Sequence, residues 1–367
     1  MSPGYPPAAG GVEVVVAQTA RALARAGASV EVLAQEHRHG LPRVVEDDGV
    51  MIRRFATSPS RTYPVAPGLW RYLQRHQTKY DVVHGHSYHC AVAAGAALVL
   101  RAHRDGPRFV YSPHYHGGGH TTVSSLIHHA YRPVGRAVFS RAATVVCVSR
   151  AEAELVAQHF PAVAARIAVV PNAVDTAALA AAEPWPQQPE TVLSVGRLER
   201  YKRIDRLLGA FRQVPAPARL VVIGDGPDRE RLEKLAAQYG LIERVRFLGR
   251  VCDADLARWL RTARALCSLS EHEAFGLAPA EALAAGASVV LSDIPAHAEL
   301  VGNIGTLIGE RDDDAQIATA LVSALEQGSE EPCATAAGWD QAAAALLGIY
   351  EHTLTVDDCG STEGAAW

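Results

Sequence analysis

The sequence lacks the features that mark several large classes of protein. Its 367 residues carry a formal net charge of −4, so there is no basic surplus of the kind that binds nucleic acid. No apolar run is long enough to span a bilayer, and residues 1–7 have neither the basic region nor the apolar core of a signal peptide. We therefore expect a cytoplasmic protein that binds no nucleic acid and makes, at most, peripheral contact with the inner face of a membrane.

Paired cysteines are lacking as well. Six cysteines are scattered along the chain, and none of them forms a C-x-x-C pair. Cys147 and Cys267 lie inside apolar runs that are typical of strands. We predict that these are buried thiols, and neither disulfides nor zinc ligands.

What the chain does have is a repeated alternation of apolar runs with amphipathic segments. In the second half, runs typical of strands begin at residues 191, 219, 245, 265, 288 and 306, and each is followed by a helical pattern or a loop. The first half shows the same rhythm. This alternation predicts an α/β fold with two Rossmann-like, doubly wound parallel sheets, and polar loops gathered at the carboxyl edge of each sheet.

The predicted domains follow from this pattern and from one irregular stretch. Residues 181–190 are rich in Ala, Pro and Gln and lack periodicity, so we assign them as a linker. They separate an N-terminal domain, residues 1–180, from a C-terminal domain, residues 191–335. An amphipathic helix over 339–354 follows, and we predict that residues 355–367 are a disordered tail.

A short predicted helix in the second half suggests an anion site. Pro279 suits the first position of a helix, and Gly286 suits its left-handed stop. Open backbone amides at the start of such a helix attract phosphate. These amides belong to Phe275, Gly276 and Leu277.

Two carboxylates flank this predicted phosphate site. Glu273 lies just before the helix and Glu281 lies within it. Carboxylates bind phosphate poorly but accept hydrogen bonds from hydroxyls, so the pattern fits a sugar nucleotide. The alternative is that these residues and Glu271 are ordinary surface acids near a helix N-terminus.

Two loops after predicted strands carry further candidate groups. Arg197 and Lys202 follow the first strand of the second domain, where Arg offers a fork and Lys a point charge to phosphate oxygens. The alternative is that both are solvated charges before a helix. Gly224 follows the next strand and would let a ligand approach the backbone. Asp312-Asp313-Asp314 contains a D-x-D pattern, but we favour helix capping over Mg²⁺ binding.

The N-terminal domain begins with a glycine loop. Gly10 and Gly11 precede a predicted helix over 12–26, and such a loop can admit a phosphate or a sugar close to the backbone. A Gly-Gly pair is equally common in flexible turns. A βαβ unit also requires a strand before this loop, so either the start of the pattern is misassigned or the first strand is missing. We expect the first strand to be missing.

Histidines cluster after the strands of the N-terminal domain. We considered three interpretations: a metal cluster, a polar cleft wall with one or two functional imidazoles, and a purely structural role. We favour the cleft wall, because no Cys and few acids accompany the histidines. The six are His84, His86, His89, His114, His116 and His120.

With these residues laid out, the sequence resembles the family 4 glycosyltransferases, glycosyl transferases group 1, over nearly the whole chain. The family has the GT-B fold, in which two Rossmann-like domains face each other across a cleft. The resemblance rests on motifs in the family's order and spacing: P-x-x-G-G before Val12, Asp81–His86, Val146–Ser149, Pro171–Asp175, Gly196–Lys202, Gly224–Pro227, Arg246–Arg250 and Glu273–Glu281.

The resemblance implies roles for the candidate residues. Arg197 and Lys202 would hold the donor diphosphate in place of a metal, with help from the amides of residues 275–277. Glu273 would bind the donor sugar and Glu281 the ribose, while the base would lie against Arg250 and Val251. A histidine of the N-terminal domain, His114 or His116, would meet the sugar and the acceptor. The helix over 339–354 would cross back and complete the N-terminal domain.

The implied activity is transfer of a hexose from a UDP- or GDP-sugar to an acceptor hydroxyl of a glycan, a lipid or a small molecule. The resemblance implies retention of anomeric configuration, with no metal and no enzyme nucleophile. Two alternatives remain open: a non-catalytic nucleotide-sugar-binding protein, and a nucleotide-sugar epimerase on the same fold. The epimerase is disfavoured by the Gly10-Gly11 loop and the Glu273–Glu281 spacing.

Overall fold

The chain folds as two compact units, seen in a computed structural model. The first unit contains Met1–Asn172 together with the C-terminal helix, and the second contains Ala173–Gly338. The structure describes residues 1–7, 10–36, 40–58, 64–88, 90–100, 106–117, 122–186, 188–327 and 337–355, with the backbone alone over 122–130. The predicted tail and the positions of His89 and His120 lie outside the described residues.

The first unit begins with a helix and a small sheet. Strands β1 and β3 run parallel, and β2 pairs antiparallel with β3, giving the order β1-β3-β2. Asp48 and Gly49 both have positive φ, which is the turn geometry that favours a two-residue hairpin. These elements are α1 Gly11–Arg25, β1 Val30–Glu36, β2 Val44–Asp47 and β3 Val50–Ala56.

Two residues occupy the sheet position that a first strand of a βαβ unit would fill. Ser2 pairs in parallel with Ala34, and its N–H donates to the carbonyl of Leu33 at 3.0 Å. On the other side, the N–H of His86 donates to the carbonyl of Met1 at 3.1 Å. Met1 and Ser2 therefore connect the small sheet to the second sheet of this unit.

The second sheet of the first unit is parallel throughout, in the order β4-β5-β6-β7. Its core contains a group of aromatic residues, with Tyr111, Tyr115, Phe139 and Phe160 buried together. The elements are α2 Pro67–His76, β4 Val82–His86, α3 Ala91–Val99, β5 Arg108–Ser112, α4 Thr122–Arg141, β6 Thr144–Cys147, α5 Arg150–His159, β7 Ile167–Val169 and, packed on α1, α13 Trp339–Thr355, with 3-10 turns at Gln77–Lys79 and Pro161–Arg166.

The second unit is a doubly wound parallel sheet in the order β10-β9-β8-β11-β12-β13. Neighbouring residues of one strand, such as Val192 and Leu193, enter different cores, so helices cover both faces. The elements are α6 Thr176–Ala181, β8 Thr191–Val195, a 3-10 turn Arg200–Lys202, α7 Ile204–Phe211, β9 Arg219–Ile223, α8 Arg229–Gln238, β10 Val245–Gly249, α9 Asp253–Thr262, β11 Ala265–Ser268, α10 Leu277–Ala284, β12 Ser288–Ser292, α11 Pro295–Val301, β13 Thr306–Ile308 and α12 Asp314–Gln327.

The boundary between the units falls before the stretch assigned as the linker. Val174 and Leu179 are buried in the second unit, and Trp185 packs against the same core. Arg258 covers the Trp185 ring at 3.5 Å from its centroid. Residues 181–186 are therefore part of the second unit, because their aromatic and apolar side chains pack on α9.

Two further properties bear on the expectations from the sequence. Cys147 and Cys267 are buried free thiols, as predicted. Within the described residues, none of the helices is long and apolar enough to cross a membrane.

Candidate functional site

In the second unit the candidate residues lie on loops that leave the carboxyl ends of parallel strands. The loop after β8 carries Arg197 and Lys202, and the loop after β11 carries Glu273. Parallel strands place their carboxyl ends at one edge of the sheet, so residues distant in sequence meet there. Lys202 and Glu273, 71 residues apart, form an ion pair between Nζ and Oε1.

The Lys202–Glu273 pair is largely buried, with 16% and 20% of the side chains exposed. Burial opposes both charges, but the attraction between them outweighs it. The pKa of Lys202 is therefore raised, and the pKa of Glu273 is lowered by Lys202 and further by a hydrogen bond from Ser270. Both groups are ionised near neutral pH, so a bound phosphate would compete with Glu273 for the Lys202 ammonium.

The two loops that carry this pair contact each other directly. The N–H of Glu271 donates to the carbonyl of Tyr201 at 2.8 Å, and Arg203 pairs with Glu271 at 3.2 Å. The rings of Tyr201 and His272 stack with centroids 4.8 Å apart. Backbone, charge and ring contacts together fix the position of Lys202 relative to Glu273.

Arg197, the other cation of this loop, is placed differently. Its guanidinium pairs with Glu199 at 2.7 Å, and 63% of the side chain is exposed. The structure therefore brings Lys202 into the buried pair and leaves Arg197 at the surface of the loop. An exposed Arg with a neighbouring acid remains mobile enough to reach a ligand phosphate.

Gly224 performs a packing role that the sequence did not reveal. Its φ is +131°, and a Cβ placed there would lie 1.9 Å from the carbonyl oxygen of Gly196. Gly226 likewise faces the carbonyl of Leu198, at 2.4 Å from an added Cβ. The absence of side chains lets the loops after β8 and β9 touch through their backbones.

Helix α10 begins at Leu277, two residues before the predicted start at Pro279. Gly276 precedes it with φ +94°, a conformation that favours glycine, and the first helical bond runs from Ala280 N to Gly276 O at 3.0 Å. The N–H groups of the first turn have no partners within the helix, so they point out of its N-terminus. Phe275 is half-buried just before this end.

Two further candidates flank the same loops. Burial raises the pKa of Glu281, on α10, to about 7, and Asp253 adds to the shift. Arg250 is exposed and Val251 is half-buried in the segment between β10 and α9. Their contacts with ribose and base, implied by the family, stay predictions.

The D-x-D sequence before α12 caps that helix, as we favoured. Asp313 Oδ1 accepts hydrogen bonds from the N–H groups of Ala315 at 3.0 Å and Gln316 at 2.9 Å. Asp312 accepts the N–H of Gly309 at 2.7 Å. Across the described residues as a whole, no three His, Cys, Asp or Glu side chains come together as a metal-binding group.

At the carboxyl edge of the first unit, three histidines stack. The centroids of His84 and His86 are 4.3 Å apart, and His86 Nδ1 lies 3.2 Å from His114 Nε2. His84 also contacts Tyr350 Oη at 2.8 Å and Ser112 Oγ at 2.9 Å. Burial lowers the pKa of His84 to about 3 and that of His114 to about 4, and places that of His86 well below its usual value. The three rings are therefore neutral near pH 7.

These rings border a cavity whose lining is mostly uncharged. His114 has a left-handed backbone, φ +48°, and His116 follows it half-buried on the same segment. Thr19, Ser112 and Asn172 complete the polar part of the wall, and apolar side chains line the rest. Neutral imidazoles, hydroxyls and an amide suit a ligand that offers hydroxyl groups.

The side chain of Glu13 lies against the glycine loop before α1. Gly10 is extended, and a Cβ added there would lie 2.1 Å from Glu13 Oε2, so the Glu13 carboxylate lies over the start of α1. Among the described residues, no atom lies within 4 Å of a Cβ added at Gly11. A phosphate here would meet the Glu13 charge, whereas a hydroxyl would find an acceptor.

Two buried residues near these edges were missed from sequence. Glu152 accepts the N–H groups of Tyr115 and of Val148, the latter at 2.6 Å, and so joins the His114 segment to the end of β6. Its signal was the S-x-x-E pattern from Ser149, a helix-capping pattern. His297, fully buried on α11, had no signal beyond being an isolated histidine.

Two protein-family models match this chain, and each covers approximately one of its two units. The model of the family described as Glycosyl transferases group 1 matches residues 175–342, and that of Glycosyltransferase Family 4 matches residues 9–178. The D-inositol 3-phosphate glycosyltransferase of Xylanimonas cellulosilytica is 30% identical, over 93% of this chain and 91% of that protein.

Two other proteins extend this result. The phosphatidyl-myo-inositol mannosyltransferase of Mycolicibacterium smegmatis is 28% identical over 86% of this chain and 81% of its own. Sucrose-phosphate synthase from Thermosynechococcus elongatus has a similar structure, with a TM-score of 0.74 and 21% identity, over 94% of each chain. The structural similarity shows the GT-B fold.

Proposed function

The chain belongs to the family 4 glycosyltransferases, and on that basis we propose that it transfers a hexose from a UDP- or GDP-sugar to the hydroxyl of a phosphorylated polyol. The names of the relatives favour an inositol phosphate or a lipid built on one as the acceptor. The single observation that carries the donor half of the proposal is the buried Lys202–Glu273 pair at the loops before α10.

The pair supports binding of a diphosphate next to a sugar. A donor diphosphate attracts Lys202 and the first-turn amides of α10, and Arg197 is exposed on the same loop as Lys202. Lys202 then leaves Glu273 free to accept hydroxyl hydrogens of the sugar. Preorganised cations and amides stabilise the charge that develops on the leaving diphosphate, so we propose that no metal is required.

We further propose that the transfer retains anomeric configuration. The bond between the anomeric carbon and the diphosphate oxygen breaks, and the acceptor oxygen bonds to the same face of that carbon. The acceptor's proton passes to the leaving phosphate oxygen. This step needs no side chain as nucleophile or base, which is compatible with the neutral histidines at the first unit's edge.

Titration of UDP-glucose, GDP-mannose and UDP-N-acetylglucosamine in the presence of EDTA tests the donor site. We expect one of them to bind, and to weaken at least about tenfold in Lys202→Ala through loss of a charged hydrogen bond. Lys234→Ala is the matched control, because Lys234 is exposed and pairs with Glu230 at the surface. Failure of all three donors to bind the wild type contradicts the proposal.

A transfer assay with D-inositol 3-phosphate and with phosphatidylinositol vesicles then tests the acceptor. Product whose anomeric configuration matches the donor supports retention. Tight donor binding without transfer to either acceptor favours the alternative of a non-catalytic nucleotide-sugar-binding protein.

A further inference from the structure

His297 is a fully buried imidazole that the proposed mechanism does not use. It lies on α11, directly after β12, with 0% of its surface exposed. Buried polar groups are nearly always hydrogen-bonded, because an unmet hydrogen bond in the interior is costly. The partners of its two ring nitrogens therefore indicate what the residue is for.

Nδ1 of the ring has a hydrogen-bond partner, and this partner determines the tautomer. Nδ1 lies 3.1 Å from the carbonyl oxygen of Ser292 and 3.1 Å from Ser292 Oγ, which itself donates to the carbonyl of Ser270 at 2.5 Å. Carbonyl oxygens only accept, so Nδ1 carries the hydrogen. Burial lowers the pKa of the ring, which leaves it neutral and leaves Nε2 with a lone pair.

The other nitrogen is buried without a hydrogen-bond partner among the described residues. A Cβ added at Gly276 would lie 3.6 Å from Nε2 and 3.2 Å from Cδ2, so this ring edge lies against the backbone that begins α10. The Glu273 carboxylate is close enough to act on the charge of the ring. Nε2 is thus a second hydrogen-bond acceptor beside Glu273 and the α10 amides.

We propose that His297 determines specificity for the donor, by accepting at Nε2 a hydrogen bond from a hydroxyl of the transferred sugar. This inference rests on the proposed function and names the chemistry of one of its subsites. A lone pair repels phosphate oxygens, so the complementary group is a hydroxyl. A site built to bind a hydroxyl rejects an analogue that lacks it, since the acceptor is then left unpaired.

Gly276 is what makes this contact possible. Its lack of a side chain leaves the Nε2 edge covered by main chain only, while a larger residue would be strained at φ +94° and would press on the ring. Because Nε2 is buried in the free protein, the contact requires that Lys202 turn to the diphosphate and that the main chain at Gly276 shift, so that the sugar reaches both Glu273 and the ring edge.

The test compares His297→Asn with His297→Gln. The Asn amide can still donate to Ser292 O but offers nothing at the position of Nε2, whereas the Gln amide reaches that position. We expect His297→Asn to bind UDP or GDP as the wild type does and to bind the nucleotide sugar about tenfold more weakly, the effect of one lost hydrogen bond. His297→Gln should recover part of the loss, and His352→Asn, on an exposed site, should change neither.

Donors that lack single sugar hydroxyls complete the test in the wild type, whatever the stability of the variants. One deoxy donor should bind the wild type about tenfold more weakly and should bind the Asn variant no worse than the full donor does. Equal weakening of nucleoside diphosphate and nucleotide sugar in the variant, or the absence of any deoxy donor with that pattern, overturns the inference. If the wild type binds no nucleotide sugar, the proposed function itself fails.

Discussion

The carboxyl edges of the two parallel sheets are built alike but carry opposite kinds of chemistry. In the second unit the edge holds ions: the buried Lys202–Glu273 pair, the Arg203–Glu271 pair and Arg197. In the first unit it holds neutral groups, with stacked imidazoles and hydroxyls around a cavity. The strands put polar residues in equivalent places, and the residue types alone make the difference.

The cost of burying charge explains why the groups at one edge are paired ions and those at the other are neutral. An isolated charge loses far too much hydration when buried, so the second unit's ions are paired. The first unit's histidines avoid the same cost by releasing their protons, since burial lowers the pKa of each ring. A charged edge suits phosphate and a neutral edge suits hydroxyls, in line with the proposed division into donor and acceptor sides.

The strongest test of this comparison is to remove charge from the second edge. In Glu273→Gln the buried Lys202 loses its counter-ion and the sugar loses its charged acceptor. Removing one partner of a buried charge pair costs roughly 2–5 kcal/mol, so we expect kcat/KM to fall about 30-fold or more. Steady-state transfer rates measure this.

Glu233→Gln serves as the control for that variant. Glu233 forms an exposed pair with Arg229 on α8, and such pairs contribute little. Near-wild-type rates in Glu273→Gln would show that the charge of the second edge does not serve transfer.

The first unit also has a buried acid, Glu152, whose carboxylate accepts hydrogen bonds from backbone N–H groups. Glu152→Gln replaces one acceptor oxygen by an NH2 that faces the N–H of Tyr115 or Val148. One buried donor is left unsatisfied, at a cost of about 1–3 kcal/mol in the free energy of unfolding. Chemical denaturation compares it with Glu154→Gln, an exposed site on the same helix. Equal stability of the two variants contradicts a backbone-bonding role.

The sequence predicted most of the second unit because its strands are buried on both faces. Such strands appear in the sequence as continuous apolar runs, and the runs predicted to begin at residues 191 and 219 start where β8 and β9 start. In the first unit β2 is a short edge strand with alternating exposure, and α4 has Pro133 in its interior. Neither β2 nor α4 gives a clear periodic pattern of apolar residues, so neither element is predicted from the sequence.

The sequence nominated candidate residues one by one but could not predict the contacts between them. Topology could place Lys202 and Glu273 at one edge, yet their pairing depends on loop conformations fixed by Tyr201, His272 and Glu271. The tautomer of His297 depends on Ser292, in the strand before it, and on the fold around both. Contacts of this kind follow from tertiary packing, which single-residue patterns do not encode.

A smaller effect should come from the neutral edge. His114→Asn keeps a residue type that tolerates φ +48° and removes the imidazole. If the ring binds a hydroxyl, kcat/KM should fall about tenfold, the effect of one hydrogen bond, while titrated donor affinity changes less. His114→Ala should lose as much activity and also about 1 kcal/mol of stability, because Ala is strained there. Unchanged kcat/KM in both variants would remove His114 from the acceptor side.

The smallest predicted effect is a pH dependence that separates the two edges. Burial raises the pKa of Glu281 to about 7, so its carboxyl is neutral below that pH and charged above it. The charged form is the stronger acceptor for ribose hydroxyls, and charged hydrogen bonds are roughly twice as strong as neutral ones. Donor affinity should therefore rise about threefold as the pH increases from 6 to 8.

The histidine edge should contribute nothing to that profile, because the pKa of His114 is lowered to about 4 and its ring stays neutral throughout. Titration of the donor between pH 6 and 8 should give a flat profile in Glu281→Gln and an unchanged slope in His114→Asn. A slope that survives in Glu281→Gln but disappears in His114→Asn would reverse the assignment, placing the titrating group on the edge that we describe as neutral.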